Sequence, residues 1–239
     1  MVNQTKQNAF ILGIFIFLGL TSLGFLLGNA AIEYKEYERT VNVKGLSERE
    51  FEADVVIWPI QFTAADNSLE NLYTTIDSNT SKIQKFLIKS GLDSSEISVS
   101  APNITDKLAQ QWGNSDYGRY RYAAIQSLTV YSKNIKLVRS VMKELSELGK
   151  QGIVFKSADY DTNPEYLFTR LNEVKPEMIA EATKKAREVA EKFAADSQSS
   201  LGKIKKASQG QFSIYERDRN NPHIKKVRVV STVVYYLSD

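Results

Sequence analysis

Residues Asp54 to Gly91 read DVVIWPIQFTAADNSLENLYTTIDSNTSKIQKFLIKSG, and the period of the apolar positions changes once along them. Asp54 to Thr63 is dense in β-branched and aromatic residues and predicts a strand. Pro59 has no N–H to give to a ladder, so it predicts an edge or a bulge there. From Ser68 onward Leu69, Leu72, Ile76, Thr80, Ile83 and Leu87 fall three or four residues apart, the spacing of one helix face. Ser68 is suited to cap that helix and Gly91 to end it.

The same change of period recurs on either side. Upstream, Thr40 to Val43 alternates as a strand does, and Lys44-Gly45 suggests a bend. Downstream, Glu96 to Ser100 and Ile104 to Ala109 predict short strands split by Pro102, and Tyr120 to Tyr131 a longer one. Gln111 to Gly118 has the Gly, Asn and Asp content of an exposed hairpin loop. Ile135 to Leu148 carries Val138, Val141, Met142, Leu145 and Leu148 on one helical stripe, and Ile153 to Ser157 is strand-like. Pro176 to Ala195 places Met178, Ile179, Ala182, Ala186, Val189, Ala190 and Phe193 at helical spacing, with Leu201-Gly202 closing it. Ile204 to Tyr215 and Lys225 to Leu237 predict two long strands. Helices with one apolar stripe each, set among hairpin-connected strands, predict an α+β fold with amphipathic helices packed on one face of a mainly antiparallel sheet.

The front of the chain belongs to a different solvent. No ionisable side chain occurs from Ala9 to Ile32, and Phe10 to Gly28 reads FILGIFIFLGLTSLGFLLG. At about 1.5 Å per residue this run crosses a hydrocarbon core of roughly 30 Å. The organisation predicted is a cytoplasmic N-terminus over 1–8, a transmembrane anchor over 9–31, a juxtamembrane stalk over 32–39 and one α+β domain over 40–239. Lys6 precedes the run and no positive excess follows it, which places the domain outside the cytoplasm. A cleaved signal peptide ending near Gly28-Asn29-Ala30, releasing the domain to the periplasm, is the competing reading.

Composition narrows the chemistry. With 31 basic against 28 acidic side chains the net charge is +3, too balanced to demand nucleic acid. The absence of cysteine removes disulfides, thiol nucleophiles and Cys-ligated metals. The single histidine, His223, lies beside Asn220-Asn221-Pro222 and reads as a solvated turn residue, which leaves no HExxH pair. No GxSxG, GxxxxGK[ST] or GxGxxG run occurs. Asp159, Asp161 and Asn163 copy the start of a calcium loop, but Pro164 and Arg170 stand where its glycine and bidentate glutamate belong. No cofactor, metal or catalytic residue is expected; an unrecognised hydrolase would have to use Asp159, Asp161 or His223. The candidate ligand or interface residues are Arg119 and Arg121, interleaved with Tyr117, Tyr120 and Tyr122, and Lys225 and Lys226 within a set that includes Lys203, Lys205, Lys206 and Arg228. Arginine with tyrosine suits an oligomer contact or a stacked anionic headgroup or glycan, and equally the wet face of an antiparallel strand.

Three passages resemble the SIMPL-domain family, the YggE-like and outer-membrane-protein-28-like bacterial envelope proteins. They are VNVKGLSEREFEAD, KIQKFLIKSGLDSSEIS and EATKKAREVAEKFAADSQSSLGKIKKASQG, the last with Ala182, Ala186 and Ala190 followed by Leu201-Gly202-Lys203-Ile204. Lys44-Gly45-Leu46 and Ala53-Asp54 depart from the family's usual G-x-[GA] and Pro-Asp. The resemblance spans about Thr40 to Leu237. It implies an α+β domain of helices packed on a sheet, periplasmic placement, no established enzymatic activity, links to oxidative or envelope stress, and ring-like oligomers in some members. The expectation is a non-enzymatic, membrane-anchored, self-associating protein of envelope maintenance or stress tolerance. The alternative is a module that binds anionic envelope ligands.

Overall fold

The structure, a computed structural model, describes residues 2–37, 39–109, 119–156 and 162–238. The expected loop at Gln111 to Gly118, and with it Tyr117, lies outside the described residues, as do Asp159 and Asp161. The fold is α+β with antiparallel strand pairs, behind an apolar N-terminal helix. That helix, α1, runs Val2–Tyr37, so the expected stalk continues it helically up to Tyr37. Its stretch Phe10–Lys35 has a mean hydropathy of 2.5, is long enough to cross a bilayer, and has no residue buried by the rest of the chain.

Two compact units follow from the packing: Met1–Glu48, Lys175–Ser213 and Arg228–Asp239 form the first, and Arg49–Val174 with Ile214–Val227 the second. The strands divide between two sheets, β1 (Thr40–Glu52), β10 (Ile224–Ser238) and β8 (Ser200–Gln209) forming one in that order, with β9 (Ser213–Glu216) also on β10.

The second unit is built on β2 (Val55–Asp66) and β5 (Tyr122–Ser132), paired antiparallel from Val56↔Ser132 to Asp66↔Tyr122. Each long strand has its outer edge covered in two pieces. Strands β3 (Ile97–Val99) and β4 (Asn103–Asp106) pair with β5, while β6 (Val154–Phe155) and β7 (Glu165–Leu167) pair with β2. Pro59 falls in the break between these last two, opposite neither. The Gln61 carbonyl accepts from Lys156 on the β6 side. Since backbone groups alternate sides along a strand, the N–H that Pro59 lacks would have faced this break.

Helix α2 (Leu69–Lys89) covers this sheet and matches its sequence signals. Ser68 caps it by accepting from the Asn71 amide, and Gly91, at φ +99°, ends it in a conformation that glycine adopts without strain. Leu72, Ile76, Ile83 and Leu87 are fully buried, each contributing about 1.5–3 kcal/mol from area alone. Leu69 is exposed instead, and Asn79 is buried. The stripe from Ile135 is interrupted at Leu145, giving α3 (Ile135–Glu144) and α4 (Ser146–Lys150).

In the first unit one face of β1 and β10 is buried and the other is open. Helix α5 (Leu171–Asp196) lies on the buried face. It begins five residues before Pro176, because a proline this near the start forfeits only the bond to the Asn172 carbonyl. Met178, Ala182, Ala186, Ala190 and Ala194 form its buried ladder. Small residues are needed because β1 comes so close: a side chain on Gly45 would overlap the backbone of Ala182 and Ala186. Lys44-Gly45 is therefore no bend, and β1 continues through it. Nor does Gly202 close the helix. It lies inside β8 against Tyr236, and the chain turns instead at Gln198, at φ 55°. The strand expected over Ile204 to Tyr215 is likewise two, β8 and β9.

Candidate functional site

Arg121 is already committed to the fold. Its Nε and Nη2 fork onto the Asp106 carboxylate at 3.1 and 2.8 Å across β4 and β5, and its guanidinium lies 4.8 Å from the Tyr122 ring centre. The fork holds the Asp106 carboxyl below the usual range and raises Arg121. Asn67 clamps the backbone on both sides, its Oδ1 accepting from the Arg121 amide and its Nδ2 donating to the Arg119 carbonyl. Arg119 lies 6.0 Å from the Tyr120 ring and has no carboxylate partner among the described residues.

Lys225 points inward, nearly buried, with Nζ 3.3 Å from Glu216 Oε1 across β9 and β10. Lys226 alternates to the other side of the strand. Both belong to the second unit, whereas Lys203, Lys205, Lys206 and Arg228 belong to the first. There Arg228 faces Glu48 at 3.8 Å, and Lys205 Nζ sits 5.3 Å from the Tyr236 ring centre.

His223 is not the solvated turn residue that its neighbours suggest. The Asp218 carboxylate accepts from the Asn220 and Asn221 amides and folds the turn back, and the His223 carbonyl accepts from Ala53. The ring then packs edge-on to Tyr166, with centres 6.0 Å apart. Its Nε2 is 2.9 Å from Arg139 Nη1. A guanidinium only donates, so Nε2 accepts, and Nδ1 carries the proton, buried without a partner among the described residues. Burial first, and then the Arg139 charge, hold the imidazole below its ordinary pKa. Burial likewise raises Tyr166. With Nε2 occupied, this imidazole is not placed to take a proton from a nucleophile.

Of the calcium-like run, Asn163 and Pro164 line an open cleft of about 670 Å³ in the second unit, with Pro59, Glu165, Arg219 and Pro222. Arg170 instead pairs with Asp54 at 3.2 Å. Burial pushes Asp54 up, but the Thr169 amide and hydroxyl and then Arg170 outweigh it and lower its pKa. Among the described residues no three His, Asp or Glu side chains gather as a metal site would require.

The first unit holds a groove of about 490 Å³ between α5 and β8, lined by Thr183, Lys184, Arg187, Lys203, Ile204 and Tyr235. Sequence reading singles out Lys203 alone among these. Lys184 and Arg187 sit beside the alanine ladder, and only the alignment of the helix along β8 brings them opposite Lys203.

No curated protein shows a significant match to this chain. The family model described as SIMPL, protein of unknown function (DUF541), matches residues 41–234, nearly everything after α1. The chain therefore belongs to the SIMPL family, as its opening, its α2 passage and its alanine-spaced late helix suggested.

Proposed function

We propose that the protein is a membrane-anchored, non-enzymatic SIMPL domain that self-associates in the periplasm and serves envelope maintenance or tolerance of oxidative stress. Helix α1 carries this reading. Its apolar stretch Phe10–Lys35 has no residue buried by the rest of the chain and is suited to a bilayer. Helical residues run on to Tyr37 and β1 starts at Thr40, so the domain is held close to the membrane. Self-association is supported by the open face of the first sheet, where Leu46 and Tyr236 are exposed and Val230 and Val234 half-buried. The outer edge of β1 also has no partner strand among the described residues.

The chain has no cysteine, so a single Thr40→Cys variant reports orientation directly. Labelling by a membrane-impermeant maleimide in intact cells is expected, and labelling only after lysis would reverse the placement. Light scattering on the full chain in detergent and on a chain beginning at Glu33 tests assembly. A discrete oligomer in both locates it in the domain, whereas a monomeric Glu33 chain removes that property from it. A deletion strain as tolerant of oxidants and detergents as its parent would refute the stress role.

A further inference from the structure

We infer that the groove between α5 and β8 binds a phosphate-bearing ligand. Three cations converge on it. Lys184 and Lys203 have no carboxylate partner among the described residues. Arg187 gives its Nε to Glu191 at 2.9 Å, and its two terminal nitrogens take no partner among the described residues. The floor is Tyr235, whose ring is buried while its hydroxyl is not, and that hydroxyl takes no hydrogen-bond partner among the described residues. That hydroxyl reaches the open groove, so it is free to donate to a ligand there. Thr183 adds a second hydroxyl on the helix wall. Two ammoniums, one planar fork and two hydroxyls are the donors that a phosphate's several oxygens accept.

Lysine on an edge strand also discourages edge pairing, and Lys203, Lys205 and Lys206 share that role. It does not account for Lys184 and Arg187 on the facing helix. The phosphate could come from a soluble compound or from a phospholipid headgroup. Arg39 donates to Ser199 Oγ at 3.2 Å, so the chain enters this unit from α1 beside the end of α5. Lys184 and Arg187 precede that end, at Asp196, by 12 and 9 residues, or roughly 14–18 Å along the axis. The two sources give different responses to added anionic lipid. The inference is independent of self-association.

The test is calorimetric titration of sodium pyrophosphate, at fixed ionic strength, into the full chain in phosphatidylcholine nanodiscs. Saturable binding is expected, weakened at least tenfold by Lys184→Glu with Lys203→Glu and severalfold by Tyr235→Phe. Lys205→Glu with Lys206→Glu makes the same change in net charge outside the groove and should leave affinity within about twofold. Single Lys184→Gln and Lys203→Gln variants, each checked for an unchanged melting midpoint, give the same reading if the double reversal does not fold. Replacing part of the lipid by phosphatidylglycerol leaves wild-type affinity unchanged for a soluble ligand and lowers it if headgroups occupy the groove. No saturable heat from the wild type, or equal weakening by both charge-reversed pairs, overturns the proposal.

Discussion

Replacing Gly45 by alanine should loosen the first unit while sparing the second. An added Cβ would sit 3.0 Å from the carbonyl carbon of Ala182 and closer still to that residue's oxygen and to the Ala186 amide nitrogen. Ordinary carbon contacts lie at about 3.5–4.0 Å, so α5 has to retreat by roughly 1 Å. The obstacle is backbone on a helix whose facing side chains are already alanine, so no rotamer change relieves it. A gap of that width forfeits up to about half of each dispersion contact along the ladder of Ala182, Ala186 and Ala190. Overpacking of this kind costs about 1–3 kcal/mol, and the backbone obstacle puts Gly45 near the top of that range. The better strand propensity of alanine returns only about 0.5–1 kcal/mol. A net loss of about 2 kcal/mol lowers the melting midpoint by roughly 4–8 °C. Hydrogen exchange read by mass spectrometry locates the effect, with faster exchange in α5 peptides and unchanged protection in α2. Gly149→Ala, where an added Cβ meets nothing within 4 Å, is the control. Unaltered α5 protection with a midpoint within 1 °C of wild type would show that the close approach does not constrain the helix.

Two further outcomes follow from buried polar groups in the second unit. His223 is held below its ordinary pKa, so the unfolded chain takes up this proton more readily. Its contribution is full above about pH 6.5, the ordinary value, and is lost as pH falls through the lower folded value; urea midpoints at pH 7.5 and 5.5 should converge in His223→Gln, and an equal loss in both proteins would remove His223 as the cause. Gln126, buried in β5, donates to the Ser100 carbonyl at 2.8 Å and accepts from the Thr80 hydroxyl at 2.8 Å. Gln126→Leu leaves both groups unpaired and should cost about 1–3 kcal/mol in chemical denaturation, with a cost below 0.5 kcal/mol showing that water replaces the amide.

How much of this the sequence discloses depends on how far away the cause lies. Helix α2 is legible because its cap, its stripe and its terminating glycine all act within a few residues of one another. Gly45 and Gly202 mislead because a glycine's local meaning, a turn or a helix stop, is overridden by what approaches it: Ala182 and Ala186 in one case and Tyr236 in the other. Pro59 announces a missing ladder bond correctly, but not that the strand is otherwise paired on both edges and simply passes the break between β6 and β7. The candidate residues divide in the same way. Arg121 looks like half of an aromatic-arginine surface until the strand register delivers Asp106 to it. His223 looks solvated until Arg139, more than eighty residues earlier, closes on its ring. The groove at Lys184, Arg187 and Lys203 runs the other way: three ordinary surface cations become one site only because an alanine ladder lets α5 lie along the sheet. The spaced alanines therefore serve two ends. They seat the helix against Gly45, and they bring its charged flank within reach of β8, so substitutions that lift α5 should weaken phosphate binding without touching any residue of the groove.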